Sequence, residues 1–366
     1  MYCPEHLNEP IASWLPSGAP PLVIAGPCSA ESRDQVLATA RALAEIPQVK
    51  IFRAGIWKPR TRPDGFQGVG NEGLEWLRAV KEETGLLTTV EVARPVHVEE
   101  ALKSGIDILW IGARTSGNPF SVQEIAEVLN GVDIPVMVKN PLNPDLNLWI
   151  GALERLSQAG IRRLAAIHRG FYPYTSSRFR HDPMWEVPIE LKRHCSELPL
   201  ICDPSHISGN TTLIPRVSQK ALDLAMDGLM IEVHYKPETA LTDKSQQLTP
   251  GMLRELLTQL VVRQPGSDPV LQSMLVELRK QIDELDHEMI RTLDRRMEIV
   301  RKIGTFKKEH GMTVLQIKRW MEIIDDRMEM GDRAGLEREF LLQLLQLIHK
   351  EAIRIQIEAT ESRETS

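Results

Sequence analysis

Four side chains able to ligate a cation stand far apart in this chain: Cys28, His206, Glu232 and Asp243. One thiolate, one imidazole and two carboxylates form a mixed soft and hard donor set suited to a divalent transition ion. No CxxC or HExxH spacing brings them together, and a lone Cys28 also reads as a small buried hydrophobe, so only a fold can make them a site. A second set is cationic. Arg53, Lys58, Arg60 and Arg62 fall within ten residues, interleaved with Pro59 and Pro63, and Arg114, Lys139 and Arg169 follow. An isolated basic run reads as a solvated loop. Arg53, Lys58, Arg60, Arg114, Lys139 and Arg169 around one cavity would instead repel one another unless an anion neutralised them. That arrangement implies a substrate with more than one acidic group.

The elements that must position these residues follow from hydrophobic patterning. Short Val-, Ile- and Leu-rich runs at 22–26, 49–52, 86–92, 108–112, 135–139, 163–167, 199–202 and 228–233 read as strands buried on both faces. Amphipathic stretches at 32–45, 71–83, 95–104, 121–129, 147–159, 185–194, 211–225 and 250–262 read as helices, with Gly85, Gly105 and Gly160 as stop signals. Eight strands alternating with eight helices over about 250 residues predict an α/β fold, the (β/α)8 TIM barrel. A doubly wound open sheet is the alternative. A barrel requires reactive side chains to collect at the C-terminal ends of many strands. Gly26-Pro-Cys-Ser29, Lys58-Pro-Arg-Thr61, Glu91, Ile111-Gly-Ala-Arg114, Lys139-Asn140, His168-Arg-Gly170, Asp203-Pro-Ser-His206, Glu232-Val-His234 and Asp243 all fall there.

Composition excludes several classes. The 366 residues are 42% hydrophobic and 26% charged with a net charge of -6, so no global basic field points to nucleic acid. Four cysteines (Cys3, Cys28, Cys195, Cys202) are too few for a disulfide framework. The first eighteen residues lack the pattern of a signal peptide, and no apolar run reaches membrane-spanning length, so the expectation is a cytoplasmic enzyme without membrane partners.

Beyond the Pro/Gly/Ser-containing stretch 263–269 the texture changes. Apolar residues from Leu271 to Ile303 keep three-four spacing, predicting one long helix through about Lys308. Gly311 breaks it, and helices at 315–330 and 336–357 follow. So short a helical module cannot bury that stripe alone, so self-association as an intertwined helical dimer is expected. The resulting division is 1–262 for the barrel (with 1–20 an N-terminal extension), 263–270 linker, 271–360 helical domain and 361–366 tail.

On the motifs quoted above, together with Leu241-Thr-Asp-Lys-Ser-Gln-Gln-Leu248, residues 22–262 resemble the type Iβ 3-deoxy-D-arabino-heptulosonate-7-phosphate (DAHP) synthases. The resemblance implies condensation of phosphoenolpyruvate with erythrose 4-phosphate and release of phosphate. By the same resemblance Arg53, Lys58, Arg114, Lys139 and Arg169 hold phosphoenolpyruvate, and Lys58, Pro59, Arg60 and Thr61 line the erythrose 4-phosphate site. Cys28, His206, Glu232 and Asp243 bind one divalent ion, Mn2+ first, with Fe2+, Co2+ and Zn2+ as alternatives. The sister synthase acting on arabinose 5-phosphate usually carries Lys-Ala-Asn-Arg where this chain has Lys58-Pro-Arg-Thr61.

The tail, through Leu278-Arg-Lys-Gln-Ile-Asp-Glu-Leu-Asp286 and the spacings to Arg295-Arg296, Lys307, Arg319 and Gln356, resembles the all-helical class of chorismate mutase. That implies Arg296 and a partner subunit's Arg279 clamping the substrate carboxylates, Lys307 and Gln356 bonding the ether oxygen, and Arg319 in support. Gln316, Trp320 and Ala352 depart from the family pattern around the ring hydroxyl. Two readings of the tail therefore stand: a second enzyme, or a module for dimerisation and for sensing prephenate as an inhibitor. A homodimer through the helical domain is expected, with a higher oligomer left open.

Overall fold

The computed structural model describes residues 20–58, 65–173, 177–263 and 269–361, with side chains from 272 to 359 in the last stretch. The chain divides into two compact units, Met1–Gln264 and Pro265–Ser366.

In the first unit eight strands close into a barrel in sequence order. They are β1 (Leu22–Gly26), β2 (Val49–Arg53), β3 (Leu87–Val92), β4 (Ile108–Ile111), β5 (Val136–Lys139), β6 (Leu164–His168), β7 (Leu200–Cys202) and β8 (Gly228–Glu232). Every neighbouring pair is parallel, and β8 returns to β1 through Leu22 opposite Gly228 and Gly26 opposite Glu232. The open-sheet alternative is thereby excluded.

The near-continuous apolar runs conceal a period of two. Ile24, Ile51, Ile108, Trp110, Met137, Ala165, Ile167, Ile201 and Met230 form one cluster filling the barrel. Alternate residues such as Val23, Phe52, Val90, Leu109, Val138, Ala166 and Leu229 join a second, larger cluster with the helices. Two sets of neighbours, one on each face, leave little place for polar residues before the strand ends, Thr88 and Thr89 of β3 being buried exceptions.

The outer layer consists of α1 (Arg33–Ala44), α2 (Glu72–Thr84), α3 (Pro95–Lys103), α5 (Pro119–Val128), α6 (Leu146–Gln158), α7 (Glu186–His194), α9 (Ile214–Asp223) and α10 (Pro250–Gln259). Four of these eight entries are capped by side chains: Ser32, Asn118, Asp145 and Thr249 accept from first-turn backbone N–H groups. Two one-turn helices were not anticipated, α4 (Ala113–Ser116) after β4 and α8 (Pro204–Ser208) after β7. Each is too short for a periodic signal, and each carries an expected site residue, Arg114 and His206. Cys28 and Cys202 are free thiols, whereas Cys195 is disulfide-bonded, a single link rather than a framework.

The second unit is all helical: α11 (Pro269–Glu309), α12 (Ile317–Arg333) and α13 (Arg338–Glu361). At 1.5 Å per residue α11 spans about 60 Å. Its contact with α13 centres on Val300, Ala352 and Ile355, with Met297 beside them. Much of its apolar stripe, including Leu278, Ile282, Leu285, Met289, Ile299 and Ile303, is exposed in the single chain. Among the described residues no helix is long and apolar enough to cross a membrane.

Truncating Ile201 to Ala opens a cavity in the barrel centre and is expected to cost about 2–5 kcal/mol in urea unfolding of the barrel. Phe120→Ala, on a side chain 83% exposed, should stay within about 0.5 kcal/mol.

Candidate active site

The period of two decides which side chains face the cavity. Arg53, Lys139, Arg169, Asp203 and Glu232 each stand two residues beyond a member of the barrel-filling cluster: Ile51, Met137, Ile167, Ile201 and Met230. They therefore form a polar layer on top of that cluster. Trp110, fully buried, is its floor. The Arg53 guanidinium carbon lies 5.1 Å from the Trp110 ring centre and Lys139 Nζ 6.0 Å from it, so both cations rest on an aromatic face. His168 has the opposite parity. It sits outside the polar layer, with Trp149, Phe171 and Trp185 at centroid distances of 6.5, 5.8 and 5.3 Å, and burial pushes its imidazole down to about 3. Its place in a rim motif is thus a matter of sequence adjacency to Arg169.

The four expected cation ligands converge. Ligand atoms of Cys28, Glu232 and Asp243 all lie within 4.8 Å of one another. His206 stands at the edge of that group, its Nε2 3.8 Å from Glu232 Oε1. The opposite ring nitrogen, Nδ1, is 2.8 Å from Asp203 Oδ2. An acid behind an imidazole is the arrangement that turns the far nitrogen toward a metal. Asp203 is itself fixed as the cap of α8, accepting from His206 N at 3.1 Å, and pairs with Lys139 Nζ at 2.7 Å. Burial raises its carboxyl, but His206 and then Lys139 outweigh that and hold it well below the usual range.

Around the cluster each donor has a second contact. Gln246 Nε2 donates to Glu232 Oε2 at 2.6 Å, and Ser205 Oγ accepts from Glu232 N at 2.9 Å. The Gln247 side-chain oxygen accepts from Cys28 N at 3.0 Å. Cys28 Sγ lies 3.2 Å from both Asp243 Oδ2 and Lys58 Nζ. Burial, followed by Glu232, pushes the thiol up to about 12 despite Lys58. Glu232 is raised by burial but lowered further by His206 and Arg53. The buried Glu232 and half-buried Asp243 carboxylates repel each other and hold the Cys28 proton on, and a divalent cation is the partner that offsets both. The donor set fits such an ion, and Glu232 Oε1 is a buried acceptor without a hydrogen bond among the described residues.

The cationic wall adjoins the cluster. Arg53 Nη2 lies 3.2 Å from Glu232 Oε1, both side chains essentially inaccessible. Asn140 accepts from Arg169 N at 2.7 Å and donates to Gly170 O at 2.9 Å, fixing the turn after β6. Burial lowers the Arg169 guanidinium to about 10, with Arg180 and Arg114 adding to the effect and Asp203 opposing it. Arg53 Nε and Nη1 and Arg169 Nη1 are buried donors with no hydrogen-bond acceptor among the described residues. Pro59, Arg60 and Thr61, expected at the aldose site, lie outside those residues.

Several contributors carry no periodic sequence signal: Arg180, His181 and Gln246 come from irregular segments. Asp203 could have been found from its i, i+3 spacing to His206, which a one-turn helix makes a contact.

In the helical unit Lys307 and Gln356 meet: Lys307 Nζ donates to Gln356 Oε1 at 3.0 Å and to Val314 O at 2.6 Å. Burial lowers the Lys307 ammonium. Arg296 is half-buried, and its charge acts on Arg327 and on His349. His349 stacks on Trp320 at 3.7 Å. Arg319 pairs with Glu322 at 3.1 Å, and Arg279 is exposed. A single chain thus assembles the Lys307–Gln356 pair without Arg279.

Two family models match the chain in separate segments. The model of the DAHP synthetase I family matches residues 15–264, and that of chorismate mutase type II matches residues 278–357. The phospho-2-dehydro-3-deoxyheptonate aldolase of Thermotoga maritima is 32% identical over 238 residues, 65% of this chain and 68% of that protein. A 2-dehydro-3-deoxyphosphooctonate aldolase of Desulfatibacillum aliphaticivorans is 30% identical over 262 residues, 67% of this chain and 92% of its own. The crystal structure of the Thermotoga maritima aldolase (DAHP synthase) superposes with a TM-score of 0.59 at 30% identity, covering 65% of this chain and 67% of that one.

Replacing Asp203 with Asn leaves Lys139 an uncompensated buried charge and is expected to cost about 3–5 kcal/mol in urea unfolding at neutral pH. Arg193→Ala, which breaks a surface pair with Glu190, should change stability by less than about 0.5 kcal/mol.

Proposed function

The chain belongs to the DAHP synthetase I family, and we propose from this that its barrel condenses phosphoenolpyruvate with erythrose 4-phosphate, releasing phosphate. The observation that carries the reading is the juxtaposition, on one rim, of orphaned buried guanidinium donors with a thiol–carboxylate–imidazole cluster. The donors suit a ligand bearing both carboxylate and phosphate, and the cluster suits a divalent ion.

Arg53 and Arg169 present preoriented charged donors to the two acidic groups, with Lys139, Arg114 and Lys58 completing the wall. Because these groups are already desolvated, charge that develops on departing phosphate needs no reorganisation of the site. Cys28, His206, Glu232 and Asp243 hold the ion, Mn2+ first, which supplies Lewis-acid polarisation of the aldehyde oxygen. Lys58, Pro59, Arg60 and Thr61 receive the aldose. The similarity to the phosphooctonate aldolases makes arabinose 5-phosphate the competing substrate, and Lys58-Pro-Arg-Thr61 argues for the shorter sugar.

For the helical unit we propose rearrangement of chorismate to prephenate. A pericyclic step needs positioned cations and no nucleophile, and Lys307 beside Gln356 supplies charge at the ether oxygen, with Arg296 for a carboxylate and Arg319 in support. Arg279 reaches the site from a second copy, consistent with its exposure and with the uncovered apolar stripe of α11. Trp320, one of the departures from the family pattern, stacks on His349, and on this the unit is given a further role in binding prephenate as a feedback inhibitor of the condensation.

A chelator should abolish condensation and spare chorismate rearrangement, with Mn2+ restoring the first activity. Arabinose 5-phosphate turned over within tenfold of erythrose 4-phosphate would overturn the aldose assignment. Lys307→Ala is expected to lower kcat/KM for chorismate by about 10²–10³-fold while condensation persists. Prephenate should inhibit condensation by the intact protein, and Arg296→Ala should remove that inhibition together with the rearrangement; retained inhibition would sink the link between the two.

A further inference from the structure

Residues 180–182, ahead of α7, lie beside the cluster and are pinned there by backbone hydrogen bonds. Phe171 and Asp182 exchange N–H···O bonds of 2.8 and 2.9 Å, and His181 N donates to Ile207 O at 3.2 Å. Within this pinned stretch two adjacent residues serve different partners. Arg180 Nη1 donates to Asp243 Oδ1 at 2.9 Å and to Gln246 Oε1 at 2.6 Å. Gln246 in turn donates to Glu232 Oε2 at 2.6 Å. One guanidinium therefore restrains two cluster carboxylates, one directly and one through an oriented amide. It takes the Asp243 oxygen that faces away from Cys28, since Oδ2 is the one 3.2 Å from Sγ. His181, neutral because burial and Arg169 push it down to about 2, places Nε2 2.6 Å from Arg169 Nη2 and accepts its proton in a hydrogen bond.

The surrounding backbone leaves room for these two stems. Gly209, at φ +69°, would put an added Cβ 2.4 Å from Arg180 Cβ, and Gly170, at φ +76°, would put one 2.9 Å from His181 Cβ. Arg180 is 44% exposed and Asp243 18%, so the close fit of the stem against Gly209, rather than burial, restricts where the guanidinium lies. Both glycines are in the left-handed region, where a side chain is strained as well as obstructed.

We propose that Arg180 and His181 are positioning residues that couple the cation cluster to the anion wall. Arg180 sets Asp243 and Glu232 for the divalent ion, His181 aims Arg169 at the enol phosphate, and the one peptide linking them transmits occupancy between the sites. The inference rests on the assignment of Cys28, His206, Glu232 and Asp243 as ligands.

The test uses the full-length protein stripped of metal and titrated with Mn2+ by calorimetry, with and without phosphoenolpyruvate. In the parent protein phosphoenolpyruvate should tighten Mn2+ binding by about 5–150-fold, the usual range of coupling between two sites. Arg180→Gln is expected to weaken Mn2+ binding about 10–100-fold, as loss of an outer contact to a ligand does. His181→Leu should leave Mn2+ binding alone unchanged, raise KM for phosphoenolpyruvate about tenfold, and abolish the tightening. Retained chorismate rearrangement and an unchanged circular dichroism spectrum certify folding of both variants. Parent-like Mn2+ binding in Arg180→Gln, or full tightening in His181→Leu, overturns the coupling. Asp243→Ala serves as the separate check: if it binds Mn2+ like the parent, the ligand assignment itself fails.

Discussion

Arg53 and Glu232 face each other 3.2 Å apart on β2 and β8, the two strands that flank β1, with neither side chain reaching solvent. A buried ion pair of this kind contributes little net stability, because desolvation offsets most of the attraction. What it does is tie two charge systems together. Glu232 belongs to the cluster with Cys28 and Asp243, and Arg53 belongs to the cationic wall above Trp110. Each side therefore compensates part of the charge of the other while both still lack full hydrogen bonding. The site is held in an electrostatically incomplete state that an anion and a divalent cation together would complete.

The same logic extends across the rim through Lys139, Asp203 and His206. Asp203 holds the ammonium and the imidazole at once, so an anionic centre lies between the wall and the cluster. Irregular segments supply the rest of the balance, with Arg180 at Asp243 and His181 at Arg169. The barrel provides rigid strand ends, and its loops adjust the charges on them, which is how one fold carries many chemistries.

The helical unit obeys a different constraint. Its buried apolar contact is small and its longest helix leaves a long stripe uncovered, so packing alone does not account for its order. The buried Lys307–Gln356 pair shows where its polar chemistry concentrates, between α11 and α13.

The sequence by itself determined the alternation of strands and helices, the glycine stops at Gly85, Gly105 and Gly160, and the amphipathic stripe of α11. These signals are local: periodicity and capping act within a few residues. It also contained the candidate ligands and cations, since the motifs at strand ends could be read one by one. Only the tertiary structure decided which of them share a cavity. Closure of β8 onto β1 brings Cys28 beside Glu232 and Asp243, a contact across more than two hundred residues that no local pattern encodes. Strand parity separates Arg169, inside, from its neighbour His168, outside, although both read as rim residues. Arg180 and His181 were invisible beforehand, and Gln246 stood only inside a quoted motif without a role, because their positions depend on hydrogen bonds between loops, and loops carry no period. Charge and shape at one point in space come from closure, whereas the sequence alone specifies the pieces that close.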